Sequence, residues 1–425
     1  MKRIAIVVLI AFGALLAWMM YAGLREDAGE ASAAANMSNT ELVARGAYLA
    51  RAGDCQACHT ARGGAPFAGG RAIQTPFGAI HSPNITPDKQ TGIGNWSADD
   101  FWRALHNGKG KDGKLLYPAF PYPNYTKVTR ADSDAMHAYF MSLAPVSQAN
   151  KEPALRFPFN QRALLIAWRA LYFRPGVYAE QPRQDAEWNR GAYLVQGLGH
   201  CSACHTPRNV FGATQDKGDL SGAMIPMLGW YASSLAGESE AGLGAWEVQH
   251  LVDLMKTGIS ARGVVSGPMS EVVRESLQHL SDADLRAMAV YLKSLPPAGN
   301  TGANAPAPSA EDEKVIKAGA ALYEKHCVDC HKASGEGEPP HFPPLAGNRA
   351  LTLESAVNPI RAVLHGGYPP STRGNPRPFG MPPFGNVLSD EEAASVISYI
   401  RNEWGNRGTM VTAQQVNRYR TVHVD

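Results

Sequence analysis

Apolar and polar positions along the chain fall into two regimes. Ile4 to Leu24 is a run of 21 uncharged residues, with Lys2 and Arg3 before it and Glu26, Asp27 and Glu30 after it. At about 1.5 Å per residue, a helix of that length crosses a hydrocarbon core of about 30 Å. The basic flank stays on the cytoplasmic side, so the remainder is exported. Ala31-Ser32-Ala33 also offers an A-x-A cleavage site. Residues 1–33 therefore read either as an uncleaved membrane anchor or as a signal peptide.

Beyond that run, apolar residues recur at helical spacing, as in Leu285, Met288, Ala289 and Leu292. Three helix starts are legible: Thr129-Arg-Ala-Asp132, Ser281-Asp-Ala-Asp284 and Ser389-Asp-Glu-Glu392. Each sets a hydroxyl three residues ahead of a carboxylate, which resembles a capping box and suits a helix N-terminus. No alternating strand pattern of any length is visible, so the expected fold class is all-α. Ala163 to Phe173 reads as a short apolar helix, too brief to span a bilayer. It is either a linker helix packed on its neighbours or a contact for a partner or membrane surface. Pro296 to Ala310, rich in Pro, Ala, Gly and Asn, reads as a linker.

The chain also repeats itself. Arg45-Gly-Ala-Tyr-Leu49 is answered by Arg190-Gly-Ala-Tyr-Leu194, and Gly92-Ile-Gly-Asn-Trp96 by Gly242-Leu-Gly-Ala-Trp246. Each tryptophan stands 12 residues before a glycine, Gly108 or Gly258. All six cysteines fall in C-x-x-C pairs followed directly by histidine: Cys55, Cys58 and His59; Cys201, Cys204 and His205; Cys327, Cys330 and His331.

Two thiols at that spacing each add to one vinyl group of a haem, and the adjacent histidine supplies the proximal nitrogen to iron. The predicted cofactors are three covalently bound haem c groups. Structural zinc needs four ligands, and these pairs lie more than a hundred residues apart. A thioredoxin-like pair needs a βαβ context, which is missing. Composition agrees with this picture. The 425 residues suit about three domains, 44% hydrophobic and 18% charged residues suit globular units, and a net charge of +2 leaves no nucleic-acid footprint.

A distal methionine is expected in the loop before each closing helix. Met269 lies 12 residues before Ser281, and Met381 lies 8 residues before Ser389. The first loop instead has Phe120, 9 residues before Thr129, and phenylalanine cannot bind iron. Met136 and His106 are the candidate distal ligands there, with His81, His137 and Met141 also open. A five-coordinate first haem is the remaining alternative.

At this point the chain resembles the three-haem cytochrome c subunits of bacterial membrane-bound dehydrogenases. These serve quinoprotein alcohol dehydrogenases, flavin-dependent gluconate, sorbitol and fructose dehydrogenases, and some molybdenum hydroxylases. The resemblance covers about residues 40–407. It rests on Pro83-Asn-Ile-Thr-Pro87, Gly92 to Ser97, Leu116-Tyr-Pro-Ala-Phe-Pro-Tyr122, Phe157-Pro-Phe-Asn160, Ser266-Gly-Pro-Met269 and Tyr399-Ile-Arg-Asn-Glu-Trp404. It implies three tandem class I cytochrome c domains at 38–148, 186–297 and 310–408. Linkers are expected at 149–185 and 298–309, and a tail at 409–425. It also implies an electron-transfer subunit, not an enzyme on its own, at the periplasmic face of the inner membrane. Electrons would come from a catalytic dehydrogenase subunit and pass to ubiquinone or a membrane oxidase.

Rival readings are weaker. Gly108-Lys-Gly-Lys-Asp-Gly113 matches a dinucleotide pattern but follows a helical segment rather than a strand. A gas-binding or peroxidase-like protein would need an open first haem, and Phe120 is its support. A cytochrome subunit of a terminal oxidase, or a soluble shuttle, is disfavoured by the dehydrogenase-like motifs and by the anchor.

Overall fold

A computed structural model describes residues 1–27, 37–214, 219–237, 242–297 and 305–421. The Ala31-Ser32-Ala33 site and residues 298–304 of the linker expected at 298–309 lie outside the described residues. Contacts divide the chain into two compact units: 1–183 with 193–200 and 208–213, and 184–192 with 201–207 and 214–425. The division passes through the repeat at Arg190–Leu194.

In the first unit, Lys2–Leu24 forms one helix, long and apolar enough to cross a membrane. Among its residues only Gly23 is buried. A Cβ there would sit 2.1 Å from the Ile166 carbonyl oxygen, so glycine is what lets this helix meet the helix Leu164–Tyr172. The short apolar helix read from the sequence is thus packed against the N-terminal one.

The opening helix Asn39–Ala52 starts at Ser38 with a complete capping box to Glu41. It crosses the closing helix Arg130–Ser142 at Gly46, where a Cβ would meet the Ala135 carbonyl oxygen at 1.9 Å and Tyr139 Cβ at 2.8 Å. Leu49, Ala135, Met136 and Phe140 fill this crossing and are buried. Between the two runs the helix Ala98–Asn107, which ends at Gly108 with φ 59°, in the left-handed region that glycine tolerates. Thr129 caps the closing helix as expected, accepting from the Asp132 backbone N–H at 3.3 Å. The Asp132 carboxylate is diverted, however. It pairs with Arg45 at 2.5 Å and accepts the Tyr193 hydroxyl at 2.6 Å.

The second unit contains this crossing twice. Gly191 meets the closing helix Asp282–Lys293, with Ala287 O at 1.9 Å and Tyr291 Cβ at 2.9 Å from a Cβ. Gly319, on the helix Ala310–His326, meets Asp390–Asn402, with Ser395 O at 2.1 Å and Tyr399 Cβ at 2.8 Å. In the first of these Arg190 pairs with Asp284 at 2.8 Å, repeating Arg45 and Asp132. The other has Ala318 in place of that arginine. There the Glu392 carboxylate closes a full capping box on Ser389, accepting its N–H at 2.9 Å. A core of Ile360, Leu364, Ala393, Ile397 and Val416 surrounds this last crossing.

The expectation of a purely helical fold needs one correction. Antiparallel strands of two to four residues pair as Ala72–Thr75 with Gly78–His81 and Ala154–Leu155, Ala223–Ile225 with Trp230–Ala232, and Ile259–Ser260 with Gly263–Val264. Alternation needs about four to eight residues to register in a sequence, so strands this short leave little trace.

Candidate functional site

Each C-x-x-C-H motif sits on one helical turn: Cys55–His59, Ser202–His205 and Val328–His331. A turn of helix places positions i and i+3 on one face, so both sulfurs of a pair address the same side. The six cysteines form no disulfide. Burial pushes the Cys55 and Cys201 thiols up to about 12 and Cys327 to about 11. Redox-active or metal-binding cysteines are built the opposite way, with stabilised thiolates. Among the described residues, no group of three or more His, Cys, Asp or Glu gathers as a metal-ligand set.

The three histidines share one geometry. His59 Nδ1 lies 2.7 Å from the Pro83 carbonyl, His205 Nδ1 2.6 Å from Ser233, and His331 Nδ1 3.1 Å from Pro343. A carbonyl only accepts, so Nδ1 carries the proton and Nε2 presents its lone pair. Desolvation keeps all three rings neutral; it lowers His205 furthest, to about 4, with the Arg349 cation acting in the same direction. A neutral imidazole oriented by its second nitrogen is the form that ligates a metal. The donor set therefore fits haem c at each motif: two sulfurs on one helical face and one fixed nitrogen.

The expected distal residues lie in varied settings. Met269 is half-buried on the helix Pro268–Glu275. Met381 is half-buried and packs, together with Cys327, against the same apolar core. In the first unit, Phe120 packs on Tyr125 at 5.3 Å between ring centroids, and the Tyr125 hydroxyl donates to the Gly53 carbonyl at 2.9 Å. Met136 is buried in the helix crossing. His106 has both nitrogens engaged, Nε2 with Asp27 at 3.2 Å and Nδ1 with the Thr126 hydroxyl at 3.4 Å, and its ring stacks on Trp102. His81 Nδ1 faces the Glu152 carbonyl at 3.2 Å and His137 Nε2 the Trp96 carbonyl at 3.1 Å. Met141 is half-buried on the closing helix.

Sequence reasoning missed the carbonyls of Pro83, Ser233 and Pro343, which orient the three histidines. It also missed His200, half-buried beside Tyr125, with ring centroids 5.6 Å apart. A weak signal exists for the first, since Pro83 opens the conspicuous Pro-Asn-Ile-Thr stretch.

Comparison with known proteins agrees with this geometry. The cytochrome c family matches residues 43–144 and 316–404. The gluconate 2-dehydrogenase cytochrome c subunit of Pantoea cypripedii is 43% identical over 410 residues, covering 91% of this chain and 91% of that protein. The cytochrome c subunit of the quinone alcohol dehydrogenase of Gluconobacter oxydans is 40% identical, covering 92% and 84%. The fructose dehydrogenase cytochrome subunit of Gluconobacter japonicus is 38% identical over 408 residues, covering 89% and 82%. The class is thus a haem-binding cytochrome c, built to move electrons and not to transform a substrate. Within that class the chain belongs to the family of cytochrome c subunits of dehydrogenases.

Proposed function

We propose that the chain carries three haem c groups in three tandem cytochrome domains and relays electrons from a catalytic dehydrogenase subunit to ubiquinone or a membrane oxidase, at the periplasmic face of the inner membrane. The observation that carries this reading is the threefold recurrence of one local arrangement: a C-x-x-C-H turn, a histidine held through Nδ1 by a carbonyl, and a glycine-centred helix crossing. Haem bound at such a site supplies reversible one-electron chemistry. The chain's residues do the rest. Cys55, Cys58, Cys201, Cys204, Cys327 and Cys330 hold the groups by thioethers; His59, His205 and His331 ligate; Met269 and Met381 close the second and third sites against substrate. Substrate oxidation belongs to the partner subunit's own cofactor.

The N-terminal helix stays attached in this reading. Arg169 is buried and donates to the Gly23 carbonyl at 2.7 Å and the Asn107 carbonyl at 2.5 Å. Lys109 donates to the Leu24 carbonyl at 3.0 Å and pairs with Glu26 at 2.5 Å, while Asp27 engages His106 and Asn107. Cleavage near Ala33 would strip these partners from buried side chains, at about 1–3 kcal/mol for each polar group left unpaired. Intact mass spectrometry of the mature protein tests both points. Three haem adducts on a chain starting at residue 1 are expected; fewer adducts or free thiols overturn the haem reading, and a chain starting near residue 34 overturns the anchor.

A second reading, an open first haem that binds small gases, is favoured by Phe120 at the place of the methionine and by the engagement of both His106 nitrogens. Carbon monoxide titration of the reduced protein separates the two: binding at one haem in three supports the open site, and none excludes it.

A further inference from the structure

The segment Trp230–Leu235 of the second unit carries the Ser233 carbonyl that fixes His205. Three of its other backbone groups are held from residues that follow the third C-x-x-C-H motif. Asn358 brackets Tyr231, its Oδ1 accepting the backbone N–H at 3.0 Å and its Nδ2 donating to the carbonyl at 2.8 Å. Arg349 Nη1 donates to the Ser234 carbonyl at 2.8 Å, one peptide beyond the acceptor of His205. Its guanidinium also lies over the Trp246 ring, 5.0 Å from the centroid. Arg361 is buried over Trp230 at 4.7 Å.

The corresponding place at the first site is neutral. Asn84, next to the Pro83 carbonyl that binds His59, is held by the Val146 carbonyl and the Thr91 hydroxyl. The peptide beside each acceptor is thus held by neutral groups at the first site and by a cation at the second, while the first site's own arginine, Arg71, donates instead to the Ala57 carbonyl within the C-x-x-C-H turn.

We propose that Arg349 and Asn358, borne by the third cytochrome segment, are positioning residues for the second haem site: Asn358 fixes the strand that aims His205, and Arg349 adds a positive charge that raises the potential of that haem. This rests on the three-haem reading above. The reason is electrostatic. A cation near the site favours the reduced state, which carries one positive charge fewer. At a separation of about 10 Å and an effective dielectric constant of about 20, the interaction of two unit charges corresponds to roughly a tenfold change in equilibrium. For a one-electron couple, tenfold is about 59 mV.

The test uses the full-length protein, with the second haem marked by Cys204→Ser. That change leaves one vinyl group conjugated and red-shifts the absorption of that haem alone, so its reduction can be followed separately. Intact mass of the unsubstituted protein first counts the haems, and fewer than three sinks the three-haem reading itself; the marked protein is then required to keep the same count before any potential is read. In spectroelectrochemical titration, Arg349→Gln is expected to lower the potential of the marked haem by about 59 mV, a tenfold loss of the reduced form, with the other two unmoved. Arg349→Lys is expected to restore at least half of the shift. A marked haem unmoved by Arg349→Gln, an equal shift in Arg349→Lys, or a common drift of all three haems overturns the charge assignment. Asn358→Ala keeps the charge and frees Tyr231. It is expected to change the g-values of the marked haem in electron paramagnetic resonance, and an unchanged spectrum overturns the positioning role.

Discussion

Replacing Gly319 by alanine tests the helix crossing where it is least visible in the sequence. The added methyl carbon would stand 2.1 Å from the Ser395 carbonyl oxygen and 2.7 Å from its carbonyl carbon, both backbone atoms that no rotamer change can move. Ordinary contact begins near 3.4 Å, so the helices Ala310–His326 and Asp390–Asn402 must separate by about 1 Å. Separation of that size breaks the interdigitation of Tyr323, Ile397 and Tyr399 around the crossing. Overpacking of a core costs typically about 1–3 kcal/mol, and the backbone location of this clash places it at the upper end. A loss of about 3 kcal/mol lowers the melting temperature of a domain this size by roughly 12 °C or more. Calorimetry of the holo-protein, with haem content checked by mass, is the assay. Gly176→Ala is the control, since nothing lies within 4 Å of its Cβ. If Gly319→Ala melts with the parent protein, the close approach is refuted and the equivalence of the third crossing to the other two falls with it.

Other predictions follow from single contacts. Arg169→Met leaves the Gly23 and Asn107 carbonyls unpartnered and should cost about 3–5 kcal/mol locally; the readout is faster proteolysis near residue 27, and parent-like resistance counts against the clamp. Met269→Ala and Met381→Ala should each lower the potential of one haem and open it to carbon monoxide in the reduced protein; an unchanged spectrum removes that methionine as a ligand. Asp390 is held below its ordinary value of 3.8 by hydrogen bonds from Asn417 and Arg420, so the contact is fully present above that pH and lost as pH falls through the lowered value. Hydrogen exchange in the helix Ala413–Arg420 should therefore accelerate on acidification, and Asp390→Asn should remove that dependence.

What the sequence reveals, and what it hides, can be traced to particular residues. Capping hydroxyls at Thr129, Ser281 and Ser389 are legible because a cap is a local device, complete within four residues. The third crossing is obscured because Ala318 and Ala321 replace the arginine and tyrosine that mark the first two; the surviving Gly-Ala-x-Leu at 319–322 is the signal to follow. The carbonyls behind the three histidines cannot be read at all. They are backbone groups that any residue supplies, and they lie 24, 28 and 12 residues away, with no common spacing. The engagement of His106 is equally hidden, because its partner Asp27 is 79 residues distant. The carboxylate of Asp132 likewise suggests a capping box, yet Arg45, 87 residues upstream, claims it.

The knot of bonds around Gly23, Glu26 and Asp27 has a mechanical consequence. A cytochrome on a slack tether wanders over the bilayer and meets its redox partners by chance encounter. Here the mast is bolted to the hull: the last turn of the apolar helix is tied into the first folded unit by Arg169, Lys109 and Asn107 before the chain continues. With the helix inserted in a bilayer, as proposed above, height and tilt of that unit would follow from how deeply the helix sits. Extra residues inserted after Asp27 would lengthen the chain without giving the unit any freedom to swing.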